Sequence, residues 1–447
     1  MGLQIITVGG YSEVGRNCTL VKVDDEAVIL DMGLHMDNYI AYTDDMEELH
    51  GSKDVKDMSA DTLMRVNAVP NIRHIQDLWP KVKAICITHA HLDHVGAVPF
   101  ISNKFKADIH GTNYTIEVLS TILKDEKLSL RNKLVSHPVD SKFKVSNKIT
   151  VEFINITHSV PQTVVIAVHT PYGTVVYAND FKLDNAPVLG DKPNLKRLKQ
   201  LGEEGVKALI LDSLYANTAM KTPSENIAKE MLKDVMLGVN SEGKAMVVTT
   251  FSSHIARLKS ISELGKKLGR RTVFIGRSLS KYILAAKDAG IIDLTKNAEM
   301  VRYGSKVEKF FRKIKNPSKY LFVVTGHQAE PRAVLSRMVN QNLFHFHEED
   351  HVIFSCGVIP VENNILNREK LDAALKKKKI RLFTDVHVSG HAFREDHRDF
   401  IHLLKPTHIL PAHATPKVME AMKELALEMG YKHDKVHVLR NGVQLNL

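Results

Sequence analysis

Residues 87–100, ITHAHLDHVGAVPF, place His89, His91, Asp93 and His94 on a short connection between two apolar segments. Before them VKAICIT (82–88) has the apolar density of a buried strand; after them VGAVPFISNKF (95–105) begins a helix. The polar groups therefore sit where a strand's C-terminal end passes into a helix, the usual position of a site in a layered α/β protein. Three imidazoles and a carboxylate so close together would repel on protonation unless a cation held them, and these are the side chains that bind zinc or a similar divalent ion. His89 and His91 alternate on an extended segment and can converge on one ion. Asp93 and His94, where the chain turns toward the helix, face away from it, so the spacing suits two neighbouring ions.

Working outward, the groups that complete each set must come from distant strand ends. His158 follows the β-rich run VEFINIT, Asp180 follows VVYAN, and His413 follows THILPA. Asp180, with two oxygens, is suited to bridge. Two ions about 3.5–4 Å apart activate water and stabilise both the attacking and leaving oxygens of a phosphodiester, which is hydrolytic chemistry. Isolated strand-end histidines such as His110, His137, His169 and His408 are expected to be ordinary, satisfied polar residues.

The rest of the chain bounds this reading. Its 447 residues, 44% of them hydrophobic, allow two or three domains with ordinary cores. A net charge of +10, from 61 Lys and Arg against 51 Asp and Glu, favours a polyanionic partner such as nucleic acid. Cys18, Cys86 and Cys356 are far apart and form no C-x-x-C pair, which argues against disulfides or a cysteine zinc site and fits a reducing cytoplasm. The N-terminus lacks a basic leader before an apolar run, and no stretch of 18 apolar residues occurs, so neither secretion nor membrane spanning is expected.

LQIITV, CTLVKV and EAVILDMG (3–33) suggest a strand meander, and TVVIAVHT and GTVVYAND a hairpin around Pro171-Tyr172-Gly173. Between these regions, residues 37–78 form a polar excursion, read as a surface loop or a lid over one face. From about 206 the texture becomes alternating strands and helices, with VKALILDS, KAMVVTTFS, RTVFIG and LFVVTG as strands and helices near 223–238 and 254–268. That pattern implies a parallel, helix-flanked sheet. The run Lys376–Lys379 is expected to cap a helix C-terminus in solvent. The ending returns to strand, helix, strand, with the helix near 394–404.

His89-x-His91-x-Asp93-His94, with Asp31 in VILDMG and His158 and Asp180 behind it, resembles the metallo-β-lactamase superfamily, whose fold is an αββα sandwich with a dinuclear zinc site. Asp212 in LILDSLYA, His391 in HVSGHA and His413 in LPAHA resemble the three motifs of its β-CASP family, in which a parallel sheet flanked by helices is inserted into the sandwich. Within that family GGYSEVGRN, TGHQAEPRAVLSRM (325–338) and HVSGHA look like ribonuclease J. The chain ends at Leu447, without the extra C-terminal domain of bacterial members, and carries the 37–78 excursion; both suggest the archaeal type.

The resemblance implies the following expectations. Residues 1–205 and 381–447 form the lactamase-type domain and 206–380 the β-CASP domain. His89, His91, Asp93, His94, His158, Asp180 and His413 hold two Zn2+, with Mn2+ or Mg2+ as substitutes, and Asp31 supports them from behind. Asp212 keeps His391 poised to protonate the leaving oxygen. The activity implied is 5' to 3' degradation of single-stranded RNA, with a preference for a 5'-monophosphate. It would be cytoplasmic, without a membrane partner, and a homodimer is the assembly to look for. In HVSGHA, Gly390 lets backbone N–H groups approach an anion while His387 and Ser389 add donors. Ser252, Ser253, His254 and Arg257, at a strand end and helix start, also suit phosphate, and Arg277 and Arg332 add charge. The rivals are an endoribonuclease of the mRNA 3'-end cleavage kind, a dual endo- and exonuclease, and a non-catalytic scaffold. Against the scaffold, every ligand position is filled.

Overall fold

The computed structural model describes residues 2–50, 58–302, 304–359 and 362–447. Two compact units emerge: residues 1–184, 191–222 and 390–447 in the first, and 185–190 and 223–389 in the second.

The first unit contains two sheets. One runs in the spatial order Gln444–Asn446, Leu3–Gly9, Cys18–Val23, Glu26–Leu30, Val82–Cys86, Asp108–Thr112, Leu134–His137. The other runs His408–Ala412, Val206–Asp212, Gly173–Ala178, Val164–Thr170, Thr150–Asn155, Ser141–Lys144. Both faces of each central strand are covered, which is why they are apolar almost throughout. Alternate side chains go to opposite sides: Val21, Val28 and Leu30 meet Phe153, Ile166, Tyr177 and Ile210 between the sheets. Leu20, Ile29 and Ile85 point outward under Leu63, Ile72, Ile75 and Val98. On the far side Val176 and Leu209 lie under Leu198, Phe400, Ile401 and Leu425 of three helices, Leu195–Glu204, Arg394–Leu404 and Pro416–Glu428. Burial at about 1.5–3 kcal/mol per large apolar side chain makes these three layers of packing the main stabilising term. The arrangement is the expected αββα sandwich.

Two expectations change here. Val206–Asp212 belongs to this sandwich, not to the inserted domain, because it pairs in parallel with both Gly173–Ala178 and His408–Ala412. The unit boundaries accordingly fall near 223 and 389 instead of 206 and 380. The polar excursion is also largely helical: Met36–His50, Ala60–Arg65 and a 3-10 segment at Ile72–Lys81. Met36, Tyr39 and Tyr42, three apart, pack with Leu63, Met64, Ile72 and Ile75 on the sheet's outer face, so this segment covers core. Residues 51–57 of the excursion lie outside the described residues.

The second unit is a six-stranded, all-parallel sheet in the order Ala298–Val301, Arg271–Ile275, Tyr320–Val324, Met246–Thr249, His351–Phe354, Arg381–Phe383. Its flanking helices include Glu225–Leu237, capped by Ser224, and Ile255–Lys267, capped by His254. Lys376 and Lys377 do end a helix, Glu362–Lys377. All three cysteines are free and buried. Among the described residues no helix is long and apolar enough to cross a membrane.

Candidate metal centre

The site lies at strand ends of the first unit. Asp31 follows Glu26–Leu30, Asp180 follows Gly173–Ala178 and His413 follows His408–Ala412. All three take left-handed backbone conformations, with φ of 60°, 62° and 54°. Non-glycine residues rarely adopt this region, and the sharp reversal turns each side chain back across its own strand end. The helix Leu92–Val95 starts at His91, which puts His89 and His91 on the extended side of that turn and Asp93 and His94 on the helical side, as expected. The connection is packed tightly against the 31–34 turn. A Cβ on Gly33 would fall 1.6 Å from the Asp93 carbonyl oxygen, so only glycine fits.

Donor atoms gather into two sets. His89, His91, His158 and Asp180 form one, and Asp93, His94 and His413 the other, with the atoms of each set within 4.8 Å of one another. In the first, His89 Nε2 lies 3.0 Å and His158 Nε2 3.2 Å from His91 Nδ1. Asp180 Oδ2 is 3.5 Å from His89 Nε2 and 3.6 Å from His158 Nε2. In the second, Asp93 Oδ2 is 3.5 Å from His94 Nε2 and 3.8 Å from His413 Nε2. Tetrahedral zinc with Zn–N bonds of 2.0–2.1 Å requires donor separations of about 3.3 Å, so these edges fit such an ion. Asp180 touches both sets, at 3.1 Å from His94 Nε2 through Oδ2 and 3.7 Å from His413 Nε2 through Oδ1. Its Oδ1 is buried and accepts no hydrogen bond among the described residues, as a carboxylate awaiting a cation would.

Each outer ring nitrogen has a partner that aims the other inward. His94 Nδ1 donates to Asp31 Oδ2 at 2.7 Å, and Asp31 is itself fixed by the Thr88 N–H at 2.7 Å and hydroxyl at 2.9 Å. His158 Nδ1 donates to the Gly390 carbonyl at 2.7 Å. A Cβ on Gly390 would stand 3.1 Å from the His158 ring, tighter than an ordinary contact. His89 Nδ1 meets the Thr88 hydroxyl at 3.0 Å, and His413 Nδ1 meets the Asn17 carboxamide.

Burial drives the basicity of His89, His91 and His158 down, which leaves them neutral and able to ligate. For His94 burial acts the same way, but Asp180, Asp93 and Asp31 outweigh it and raise its pKa well above the ordinary value. Asp180 and Asp93 are held low against burial, chiefly by His94.

His391 stands beside these groups. Its Nδ1 is 2.9 Å from Asp212 Oδ2, and its Nε2 is 4.0 Å from Asp180 Oδ2. Burial would lower its pKa, but Asp180 and Asp212 lift it to about 9, so it is protonated at neutral pH. Asp212 is fully buried at the end of its strand and also accepts the Leu214 N–H. His391 forms a further donor group with Asp180 and His413; its distance from Asp180 exceeds that of the other ring nitrogens.

The residues expected to hold phosphate fare unequally. Arg257 does not present itself to an anion: it is fully buried, with Nε and Nη2 on the Glu225 carboxylate at 2.6 and 2.8 Å and Nη1 on Ser355. Glu225, thirty-two positions earlier, already neutralises it. Arg257 Nη1 reaches the Val386 carbonyl at 3.4 Å, so it braces the start of the 387–391 loop. His254 is buried against Glu225 as well, at 3.3 Å, and Ser253 is also buried. Ser252 is half-buried and bonds Ser278; His387, Ser389 and Gly390 are half-buried, and Arg277 and Arg332 are exposed. The isolated histidines are satisfied as expected: His110 with His137, His408 with His437, and His169 with Glu152. Sequence reasoning did not single out Asn17 and Thr88, whose only signal is that they close GGYSEVGRN and open THAHLDH.

Comparison with known proteins gives three successive family matches: the metallo-beta-lactamase superfamily over residues 11–222, the ribonuclease J beta-CASP domain over 243–370, and the Zn-dependent metallo-hydrolase RNA specificity domain over 377–439. The chain is 41% identical to ribonuclease J of Methanocaldococcus jannaschii, across 99% of this chain and 98% of the relative. It is likewise 41% identical to ribonuclease J of Pyrococcus abyssi, across 98% and 96%. Ribonuclease J 1 of Streptococcus pyogenes is 28% identical across 99% of this chain and 74% of its own length. A crystal structure from Enterococcus faecalis, described as of unknown function, matches the fold with a TM-score of 0.65 at 16% identity, covering both chains in full.

Proposed function

The chain belongs to the ribonuclease J family, and from that premise we propose that it removes nucleotides from the 5' end of single-stranded RNA, using two divalent ions. Zinc is the first candidate, with manganese or magnesium as substitutes. The observation that carries the reading is the pair of donor sets sharing Asp180 beside His391, which Asp212 holds through Nδ1. His89, His91 and His158 would hold one ion and Asp93, His94 and His413 the other, with Asp180 common to both. A pair of divalent ions there supplies Lewis-acid activation of water and charge stabilisation for displacement at phosphorus.

The chain's own groups supply the remainder. Asp212 fixes the His391 ring through Nδ1, leaving the Nε2 proton directed toward the side of Asp180. From there it protonates the departing 3'-oxygen, a task suited to an acid that is charged at neutral pH. The half-buried His387 and Ser389 precede His391 in the same loop and offer donors to a terminal phosphate. A loop that takes a terminal phosphate in this way makes a 5'-monophosphate the preferred end.

The test is RNA labelled at either the 5' or the 3' end, carrying mono- or triphosphate termini, at fixed salt. The expected result is labelled mononucleotide from the 5' label alone, faster with monophosphate. Ser389→Ala should narrow that preference by about tenfold, the loss of one charge-assisted hydrogen bond. Internal fragments from both labels, with indifference to the 5' end, would replace this reading with an endonuclease.

A further inference from the structure

Asn17 occupies the loop between the first two strands, is 1% exposed, and its carboxamide joins the two chain segments of the second donor set. Its Nδ2 lies 3.1 Å from the Asp93 carbonyl oxygen, 3.0 Å from His94 Nε2 and 2.9 Å from His413 Nδ1; its Oδ1 lies 3.1 Å from the same His413 nitrogen. The orientation of the amide follows from its neighbours. A carbonyl oxygen only accepts, so Nδ2 must face Asp93, and Asn179 Nδ2 donates to Oδ1 at 2.9 Å from the other side. Oδ1 is then the acceptor available to a proton on His413 Nδ1. The Gly15 N–H also points at that nitrogen, from the longer distance of 3.4 Å.

The consequence is chemical. A neutral imidazole carries one proton, and His413 can ligate through Nε2 only if the proton sits on Nδ1. The backbone holds Asn17 in place independently of its side chain: its N–H donates to the Asp93 carbonyl at 3.1 Å and its C=O accepts from Gly33 at 3.0 Å. Asn179 is seated in turn by Tyr177, whose hydroxyl takes its other amide proton at 2.9 Å. None of these contacts reaches His89, His91 or His158, whose outer nitrogens are served by Thr88, Ser159 and Gly390.

We propose that Asn17 is a positioning residue for the second ion alone: it selects the Nδ1–H tautomer of His413 and ties that ring to the Asp93–His94 turn, making the two ion sites unequal in what supports them. The inference rests on the two-ion reading of the centre. Removing an outer partner of a metal-binding histidine commonly weakens metal binding about 10–100-fold, and here that loss falls on one site of two.

The experiment is competitive titration of the metal-free full chain with Zn2+ against a chromophoric chelator, with folding followed by circular dichroism. Wild type should bind two ions. Asn17→Ala should keep one binding step unchanged and weaken the other about 10–100-fold. Asn17→Leu fills a similar volume without an acceptor and should behave the same way. Asn17→Asp keeps an oxygen facing His413 but sets its second oxygen against the Asp93 carbonyl, so it should recover only part of the weak step. Two unchanged steps in Asn17→Ala, or equal weakening of both steps, would each overturn the proposal. So would failure of both neutral variants to fold, which would assign Asn17 to the fold. A wild type that binds fewer than two ions would instead overturn the two-ion reading itself.

Discussion

In the pair His110–His137 the two rings stack on Phe143 and bond each other, Nδ1 to Nε2 at 2.9 Å, so that each consumes the other's polarity. At the 89–94 connection the rings crowd as closely, with His89 and His94 centroids 4.0 Å apart, yet the outer nitrogens are taken by Thr88 and Asp31. The inner nitrogens are left facing a shared carboxylate. Density of histidine is common to both places. The difference is in what the inner nitrogens meet: rings anchored from outside by Thr88 and Asp31 turn theirs toward further donors and the Asp180 carboxylate, while His110 Nδ1 and His137 Nε2 meet only each other.

The contrast can be broken most severely at His91. His91→Ala removes a donor for which the first set has no substitute, so hydrolysis should be abolished and metal content per chain should fall, a loss beyond the about 100-fold cost of an outer partner. Full activity with two metals would erase the distinction between the two histidine clusters. His391→Ala tests a ring anchored by a carboxylate but read as an acid: the chemical step should slow about 10²–10⁴-fold while both metals stay bound. A fall in metal content at normal single-turnover rate would make His391 a ligand. Asp212→Asn should act more mildly. The carboxylates raise the His391 pKa to about 9, so its acid form is lost as pH rises through that region. Removing one of them should move the alkaline limb of kcat/KM to lower pH.

Smaller effects sharpen the other side. His169 shares the Glu152 carboxylate with Arg197, at 2.8 Å and 2.6 Å, with no second donor set nearby. Burial would raise the Glu152 pKa, but His169 and Arg197 draw it from 4.5 down to about 2. A depressed carboxylate stabilises the fold fully above its unfolded value and progressively less as pH falls from 4.5 toward 2. Glu152→Gln should therefore cost about 1 kcal/mol at neutral pH, allowing for its partial exposure, and flatten the acid limb of stability measured by urea unfolding. His137→Phe should have the least effect: at most about 1 kcal/mol from the lost hydrogen bond, with metal content and RNA cleavage unchanged.

Much of the centre was legible because its information is local. His89 to His94 are contiguous, and His158, Asp180 and His413 each close an apolar run that announces a strand. What stayed hidden depends on partners far away in the chain. Val206–Asp212 carries the alternating texture of the second unit, yet its neighbour in the sheet is His408–Ala412, which no local pattern reveals. Arg257 looked like an anion contact until Glu225 was found against it, and Asn17 lies in a glycine-rich loop whose meaning comes from Asp93, Asn179 and His413. The left-handed turns at Asp31, Asp180 and His413 were equally unreadable, since the tertiary packing imposes them. The helical character of residues 36–50 was masked by polar composition around a sparse apolar stripe.

The strand Gln444–Asn446 pairs antiparallel with Leu3–Gly9, and His413 reaches the centre from the strand His408–Ala412. Synthesis runs from the N-terminus, and early segments can fold before later ones emerge. The second unit can thus pack before the sandwich has received two of its strands. His413 follows every other donor of the two sets in the chain, so the second set stays incomplete until that segment has been made.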